Sequence, residues 1–297
     1  MQPLRTERIR VLFSADRFLL QVAANKLIYA MLSDKGRVRR ANEDACAASP
    51  VVGAFVVCDG MGGAAGGEVA SHLAAETFLA QLVPNGTPST RVQSRITAAV
   101  QAANTAIYQQ ARQSPHLSGM GTTLVGLLHA PIMARDEEPG PRKSPRNHTN
   151  ARATDPPTLW LVHVGDSRCY LQRRGSLKLL TRDHSLVEEQ VRAGQITAKQ
   201  AAESPMRNLI TRAVGSQGTV EPEIHGHRPN IGDIYLLASD GLTRELADAD
   251  IREVLRTIPA VPDQRDLHRT CAALVDLANE RGGGDNITVL LVAVSAS

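Results

Sequence analysis

The sequence has little that would serve disulfide chemistry, membrane insertion or nucleic-acid binding. Its 297 residues include four cysteines, Cys46, Cys58, Cys169 and Cys271, and none belongs to a CxxC pair. That spacing excludes a zinc knuckle and a dithiol redox motif, and it reads as single buried thiols in a reducing compartment. Apolar runs reach about eight residues, too short to cross a bilayer. Arg8, Arg10, Asp16, Arg17 and Lys26 interrupt any signal-peptide core in the leading segment, so a cytoplasmic protein is expected. Charge of one sign is also scarce. The net +3 is carried by residues 1–28, with five basic and two acidic side chains, and the rest of the chain holds 28 of each sign. A phosphate-backbone footprint needs clustered Lys and Arg, so nucleic acid is not the expected ligand. No period of 20 to 50 residues marks a solenoid.

What is present is a 42% hydrophobic composition, enough to bury a sizeable core. Residues 1–26 are weakly patterned and form an N-terminal extension, helical or mobile, ahead of one domain over 27–297. Strands are expected at 27–32, up to Ala48, 51–58, 122–129, 159–164, 169–172, 177–180, 233–238 and 286–294. The segments 122–129 and 159–164 read as hairpin partners. Helical spacing of apolar residues predicts helices over 67–83 and 90–113, one layer of a layered αβ fold. Two more helices are expected near 250–257 and 266–280. Residues 130–158, rich in Pro, Arg, Asn, Thr and Asp, read as a surface insertion. Ser185 with Glu188, and Thr197 with Gln200, have capping-box spacing, so 186–207 reads as a surface flap with two short helices.

The chemistry concentrates where apolar strands meet aspartates. In VVGAFVVCDGMGGAAGG a buried strand delivers Asp59 to a glycine turn, and LVHVGDSR and IYLLASDG repeat that arrangement with Asp166 and Asp240. In GGGDNITVLLV, Asp285 opens a strand instead. A single aspartate at a strand end is an ordinary turn residue. Four of them, on strands packed side by side, place like charges together, which is costly unless cations sit among them. Carboxylate and carbonyl oxygens favour Mg²⁺ or Mn²⁺ over zinc. Two such ions about 4 Å apart can hold a hydroxide for in-line attack on phosphorus. Arg39, in RRANED, is a candidate to grip the phosphate, because a guanidinium matches phosphate oxygens bidentately.

RRANED, DGMGG, GMGTT, VGDSR, TRDHS, LLASDGL and GGGDNITV stand in an order that resembles the metal-dependent protein Ser/Thr phosphatases, the PPM or type 2C family, bacterial branch. The resemblance runs from about Tyr29 to Val294. It implies an α+β fold: a central antiparallel β-sandwich flanked by α-helices on both faces, four layers in the order αββα. It also implies hydrolysis of phosphoserine and phosphothreonine in proteins by a hydroxide bridging two ions, Mg²⁺ or Mn²⁺, with room for a third. Asp59 resembles the ligand shared by both ions, and Gly60 lends its carbonyl. Asp240 and Asp285 resemble further ligands of the first ion, and Glu43 the carboxylate of the second. Asp44 resembles an outer partner, Asp166 the ligand of a third ion shared with Asp240, and Asn286 a residue that orients Asp285. Arg39 resembles the phosphate-binding arginine, with Arg40 the near alternative.

Many eukaryotic members place a histidine after the Asp-Gly pair, where this chain has Met61. The acid that protonates the leaving oxygen is then a metal-bound water, or His184 as a distant second. Gly121, Thr122 and Thr123 read as packing residues under the site, and Ser167 and Arg168 as braces of the Asp166 loop. The resemblance implies phosphorylated protein substrates, those of a cognate Ser/Thr kinase and the kinase itself, with a monomeric enzyme. Two alternatives share these features: a pseudophosphatase that binds phosphoproteins without cleaving them, and a phosphatase dedicated to an anti-sigma pathway. The first loses ligands as a rule, and here Asp59, Asp240 and Asp285 are all present. The second usually carries a large regulatory domain, for which 26 leading residues leave no room.

Overall fold

The computed structural model describes residues 21–22, 25–83, 91–130 and 158–296. Most of the expected extension 1–26 and of the expected insertion 130–158 lies outside the described residues. In chain order the strands are β1 (Gln21–Val22), β2 (Asn25–Asp34), β3 (Asp44–Ser49), β4 (Ala54–Met61), β5 (Gly121–Thr122) and β6 (Leu124–His129). They continue as β7 (Leu159–Val164), β8 (Arg168–Arg173), β9 (Ser176–Leu179), β10 (Glu223–His227), β11 (Ile234–Ala238) and β12 (Ile287–Ala296). The helices are α1 (Ala64–Leu82), α2 (Val92–Gln113), α3 (Leu186–Arg192), α4 (Ala198–Glu203), α5 (Asp240–Glu245), α6 (Asp248–Leu255) and α7 (Gln264–Glu280).

Two antiparallel sheets form, one in the order β1-β2-β12-β11-β8-β9 and the other β10-β7-β6-β4-β3, with β5 paired to β4. Strand alternation explains the layers. Phe55 and Val57 of β4, with Val125 and Leu127 of β6, meet Tyr235, Leu237, Leu290 and Val292 of the opposite sheet. The intervening residues Ala54, Val56 and Cys58 face outward and pack on Phe78, Ile96, Val100 and Ile107 of α1 and α2. On the far side Leu236, Val289 and Leu291 pack on Leu267, Leu274 and Ala278 of α7. Both faces of the central strands are therefore covered, which is why they read as unbroken apolar runs. Burying one such Leu or Phe contributes about 1.5–3 kcal/mol. All four cysteines are buried and free, and burial pushes the Cys46 thiol up to about 12.

The hairpin expected between 122–129 and 159–164 is β6 with β7, in the register Leu124↔Val164. Among the described residues, the first strand, β1 at Gln21–Val22, lies inside the segment expected as an extension and pairs with the start of β2. Thr197 and Gln200 make the full capping box at α4, while Ser185 accepts from the Glu188 N–H at 3.4 Å. Besides β1, two elements have no counterpart in the sequence reading. β10, EIHGH, is a polar edge strand with no apolar alternation to betray it, and α5 starts at Asp240 directly after β11.

Candidate metal centre

The two sheets deliver their carboxylates to one end of the sandwich. Asp59 keeps the alternation of Phe55 and Val57, so its side chain points between the sheets where the apolar filling stops. Asp44 is its register partner on β3 and is buried behind it. Asp166 follows β7 through Gly165, whose φ of +103° and contact with Thr123 leave no room for a Cβ. Asp240 and Asp285 come from the other sheet, after β11 and before β12. A pocket of about 260 Å³ results, lined by Arg39, Glu43, Asp59, Gly60, Asp166 and Asp240 together with Asp285, Arg244, Thr123, Asn208 and Ile210.

The backbone beneath this pocket is fixed by the threonines. The Asp59 N–H donates to Thr123 Oγ1 at 2.9 Å, and Asp59 O accepts from Thr122 Oγ1 and from the Thr123 N–H. Thr123 Oγ1 in turn meets Ser167 Oγ at 2.7 Å, and Arg168 grips Asp183 through two nitrogens. Gly60 is required by close approach: a Cβ there would overlap the carbonyls of Gly67 and Glu43. Asn286 does more than neighbour Asp285. Its Oδ1 accepts from the Glu43 N–H at 2.8 Å, and its Nδ2 donates to Lys35 O and Ala41 O, pinning the loop that carries Arg39 and Glu43.

Electrostatically the cluster is frustrated. Burial, then Asp44, Asp166 and Asp285, hold the Asp59 carboxyl well above the usual carboxylate range. Burial, then Asp59 and Asp166, do the same to Asp240. Burial lifts Asp44 to about 8 and Asp166, with help from Asp183, to about 6. Two arginines supply the positive charge. Arg39 Nη2 lies 2.8 Å from Asp285 Oδ2, Arg244 Nη1 lies 2.9 Å from the same oxygen, and Arg244 also pairs with Asp240. Arg244 was not among the residues singled out from the sequence, although it follows Asp240 by one helical turn.

This donor set fits a hard divalent cation. It is all oxygen, it is short of positive charge, and Asp240 Oδ1 and Asp44 Oδ2 are buried without a hydrogen-bond partner. His184 does not join the pocket: its ring is buried, Nδ1 accepts from the Gly165 N–H and Nε2 faces Glu223. The secondary role of leaving-group acid therefore does not fall to it. A larger groove, about 550 Å³, lies at the opposite end of β11 between Arg173, Ile231 and Pro259, and its one nearby carboxylate, Asp233, is taken by Arg173.

No family model matches the sequence. Among curated proteins, the serine/threonine phosphatase Stp of Listeria innocua is 34% identical over 269 residues, covering 88% of this chain and 93% of Stp. The chain belongs to the PPM family of protein serine/threonine phosphatases. Another relative, PstP of Mycobacterium tuberculosis, is 40% identical over 268 residues, 90% of this chain. The chain spans 45% of the length of PstP. A crystal structure of the catalytic domain of PstP, in complex with two manganese ions, matches with a TM-score of 0.72 at 36% identity, covering 91% of this chain and 99% of that one. The four-layer αββα architecture expected of a PPM protein is the one observed. Among the described residues no helix is long and apolar enough to cross a membrane.

Proposed function

We propose that the chain is a Mg²⁺- or Mn²⁺-dependent protein phosphatase that hydrolyses phosphoserine and phosphothreonine esters. The observation that carries this reading is the convergence of five carboxylates, Glu43, Asp59, Asp166, Asp240 and Asp285, on one pocket with Arg39 at its rim. Asp59 would be shared by two ions and the Gly60 carbonyl would serve one of them, with Asp240 and Asp285 as further ligands of the first ion and Glu43 of the second; Asp166 and Asp240 would hold a third. Such ions supply Lewis acidity and activate water for attack on phosphorus.

The chain's own residues do the rest. The Asp59 backbone is clamped by Thr122 and Thr123, so its carboxylate is preorganised. Asn286 holds the loop that sets Arg39 and Glu43 across from it. Arg39 is 48% exposed at the side chain and spends one nitrogen on Asp285. With Asp285 otherwise compensated, Arg39 is free to take two phosphoryl oxygens in the bidentate geometry that guanidinium favours. Met61 lines the pocket and carries no proton, so a water molecule protonates the leaving serine or threonine oxygen. The substrates would be phosphoproteins of a cognate Ser/Thr kinase, the kinase included, met in the cytoplasm by a monomer. Every carboxylate of the constellation is present, which favours an enzyme over a binding module.

Arg39→Ala tests the reading with a phosphothreonine peptide. Loss of a charge-assisted bidentate contact, about 1.5–3 kcal/mol, should raise KM by roughly 10- to 100-fold. Arg39→Lys should recover only part of it, since an ammonium cannot form the fork. An unchanged KM in Arg39→Ala would remove Arg39 from the phosphate site.

A further inference from the structure

The groove of about 550 Å³ at the far end of β11 takes no part in the proposed hydrolysis. It opens between the β8–β9 turn, the start of β11 and the connection from α6 to α7. The five residues of β11 put roughly 17 Å of strand between it and Asp240. Its volume falls among those of ligand sites, about 300–1,000 Å³. Ile231, Ile258 and Pro259 give it apolar walls, and Ile231 is 60% exposed.

Three arginines and one carboxylate line the same space. Arg173 is spent: its Nε and Nη2 grip Asp233, and Nη2 also donates to Arg228 O. Arg174 and Arg256 are not. Arg174 stands in the β8–β9 turn with a left-handed φ of +52°, a position where Asn or Gly is usual. Among the described residues it makes no ion pair and no side-chain hydrogen bond. Arg256, the C-cap of α6, reaches Glu253 at 3.4 Å, and its side chain is 57% exposed. Gln172 adds an acceptor. It lines the groove, it is 7% exposed, and its Oε1 is buried with no hydrogen-bond partner. A buried carbonyl oxygen without a donor is costly, so it marks a place where a ligand N–H belongs.

From these features we infer that the groove is a docking site for an acidic, extended peptide segment of a partner protein. The apolar walls take a leucine-sized side chain, Arg174 and Arg256 take carboxylates of its neighbours, and a backbone N–H of the segment satisfies Gln172. Charge decides the sign of the partner. Three guanidiniums against Asp233 leave 3 − 1 = +2 on the lining residues, which a run of Glu or Asp complements and a basic segment does not. A plain anion meets the arginines but neither the walls nor the acceptor. A nucleic acid needs more cations than these two supply. Docking here leaves the carboxylate pocket open, and the inference stands apart from the phosphatase reading.

The test is fluorescence anisotropy of a labelled peptide, acetyl-Glu-Glu-Leu-Glu-Glu-Leu-Glu-Glu, titrated with the full chain, and amide exchange to locate it. Saturable one-to-one binding is expected with a Kd below about 100 μM, with slowed exchange at 172–175 and 256–260. Arg174→Asn, which suits the left-handed turn, and Arg256→Gln should each weaken the peptide at least about tenfold while leaving thermal unfolding unchanged. Gln172→Leu, which removes the acceptor, should weaken it at least about threefold. No saturable binding, an affinity unchanged in both arginine variants, or protection confined to other segments would overturn the site. Displacement by equimolar inorganic phosphate would reduce it to a plain anion site. Tighter binding after Asp136→Asn, Glu137→Gln and Glu138→Gln together would give the groove to that acidic stretch of the chain itself, and a dimer dissociated by Ile231→Ser would give it to a second copy; either result overturns docking of a partner. None of these readouts is phosphate release, so failure here is distinguishable from failure of the proposed activity.

Discussion

Replacing Asp59 with Asn is expected to lower Mn²⁺-dependent hydrolysis of a phosphothreonine peptide by at least about 10³-fold, the scale on which removal of a central electrostatic group acts. Asn matches Asp in shape, and the bonds that place residue 59 are made by its backbone to Thr122 and Thr123, so the fold should survive. The metal-free variant should in fact be more stable than the parent. Asp59 is buried beside Asp44, Asp166 and Asp285, and its carboxyl is held far above the usual range. Exchanging it for a neutral amide removes that repulsion. Turnover and thermal unfolding of the two proteins side by side check both halves. Near-normal turnover in the variant would remove Asp59 from the centre of the mechanism.

The metal-free protein should lose stability as pH rises from about 6.5 to 8. An unfolded aspartate ionises near pH 3.9, whereas folded Asp44 does so at about 8, and Asp59 and Asp240 are also raised. Between those values the native state holds protons that the unfolded state has released, so stability falls with rising pH. Buried His129, His163 and His184 and half-buried His227, all held low, act oppositely, but only below the unfolded histidine value near 6.5. Above it the carboxylates act alone. Asp44 by itself should cost roughly 1–2 kcal/mol across this window. Saturating Mn²⁺ should reverse the slope, because the ion competes with these protons and binds more tightly as they leave. Denaturant unfolding at pH 6.5 and 8, with and without Mn²⁺, measures it. Greater stability of the metal-free protein at pH 8 would contradict the carboxylate crowding.

Much of this was legible in the sequence because strands covered on both faces leave an unmistakable trace. The run ending at Asp59 marked both a central strand and the point where it stops being apolar, and the same held at Asp166, Asp240 and Asp285. Convergence of the four onto one pocket depends on sheet pairing between distant segments, which no local pattern encodes. Arg244 escaped notice because a basic residue four positions after an aspartate is ordinary helix surface, and only the pocket makes it a partner of Asp240 and Asp285. The clamp by Asn286 reaches back some 240 residues to the loop at 35–43. β10 escaped because a polar edge strand has neither apolar alternation nor a long apolar run. With it escaped the pairing of Glu223 with His163.

The most direct test of the central reading is phosphate release from a phosphothreonine peptide by chelator-stripped protein, before and after Mn²⁺ is restored. The carboxylate pocket predicts negligible release without the ion and recovery on adding it, with Asp59→Asn failing to recover. Equal release in the stripped and the Mn²⁺-loaded protein, or none in either, would contradict it.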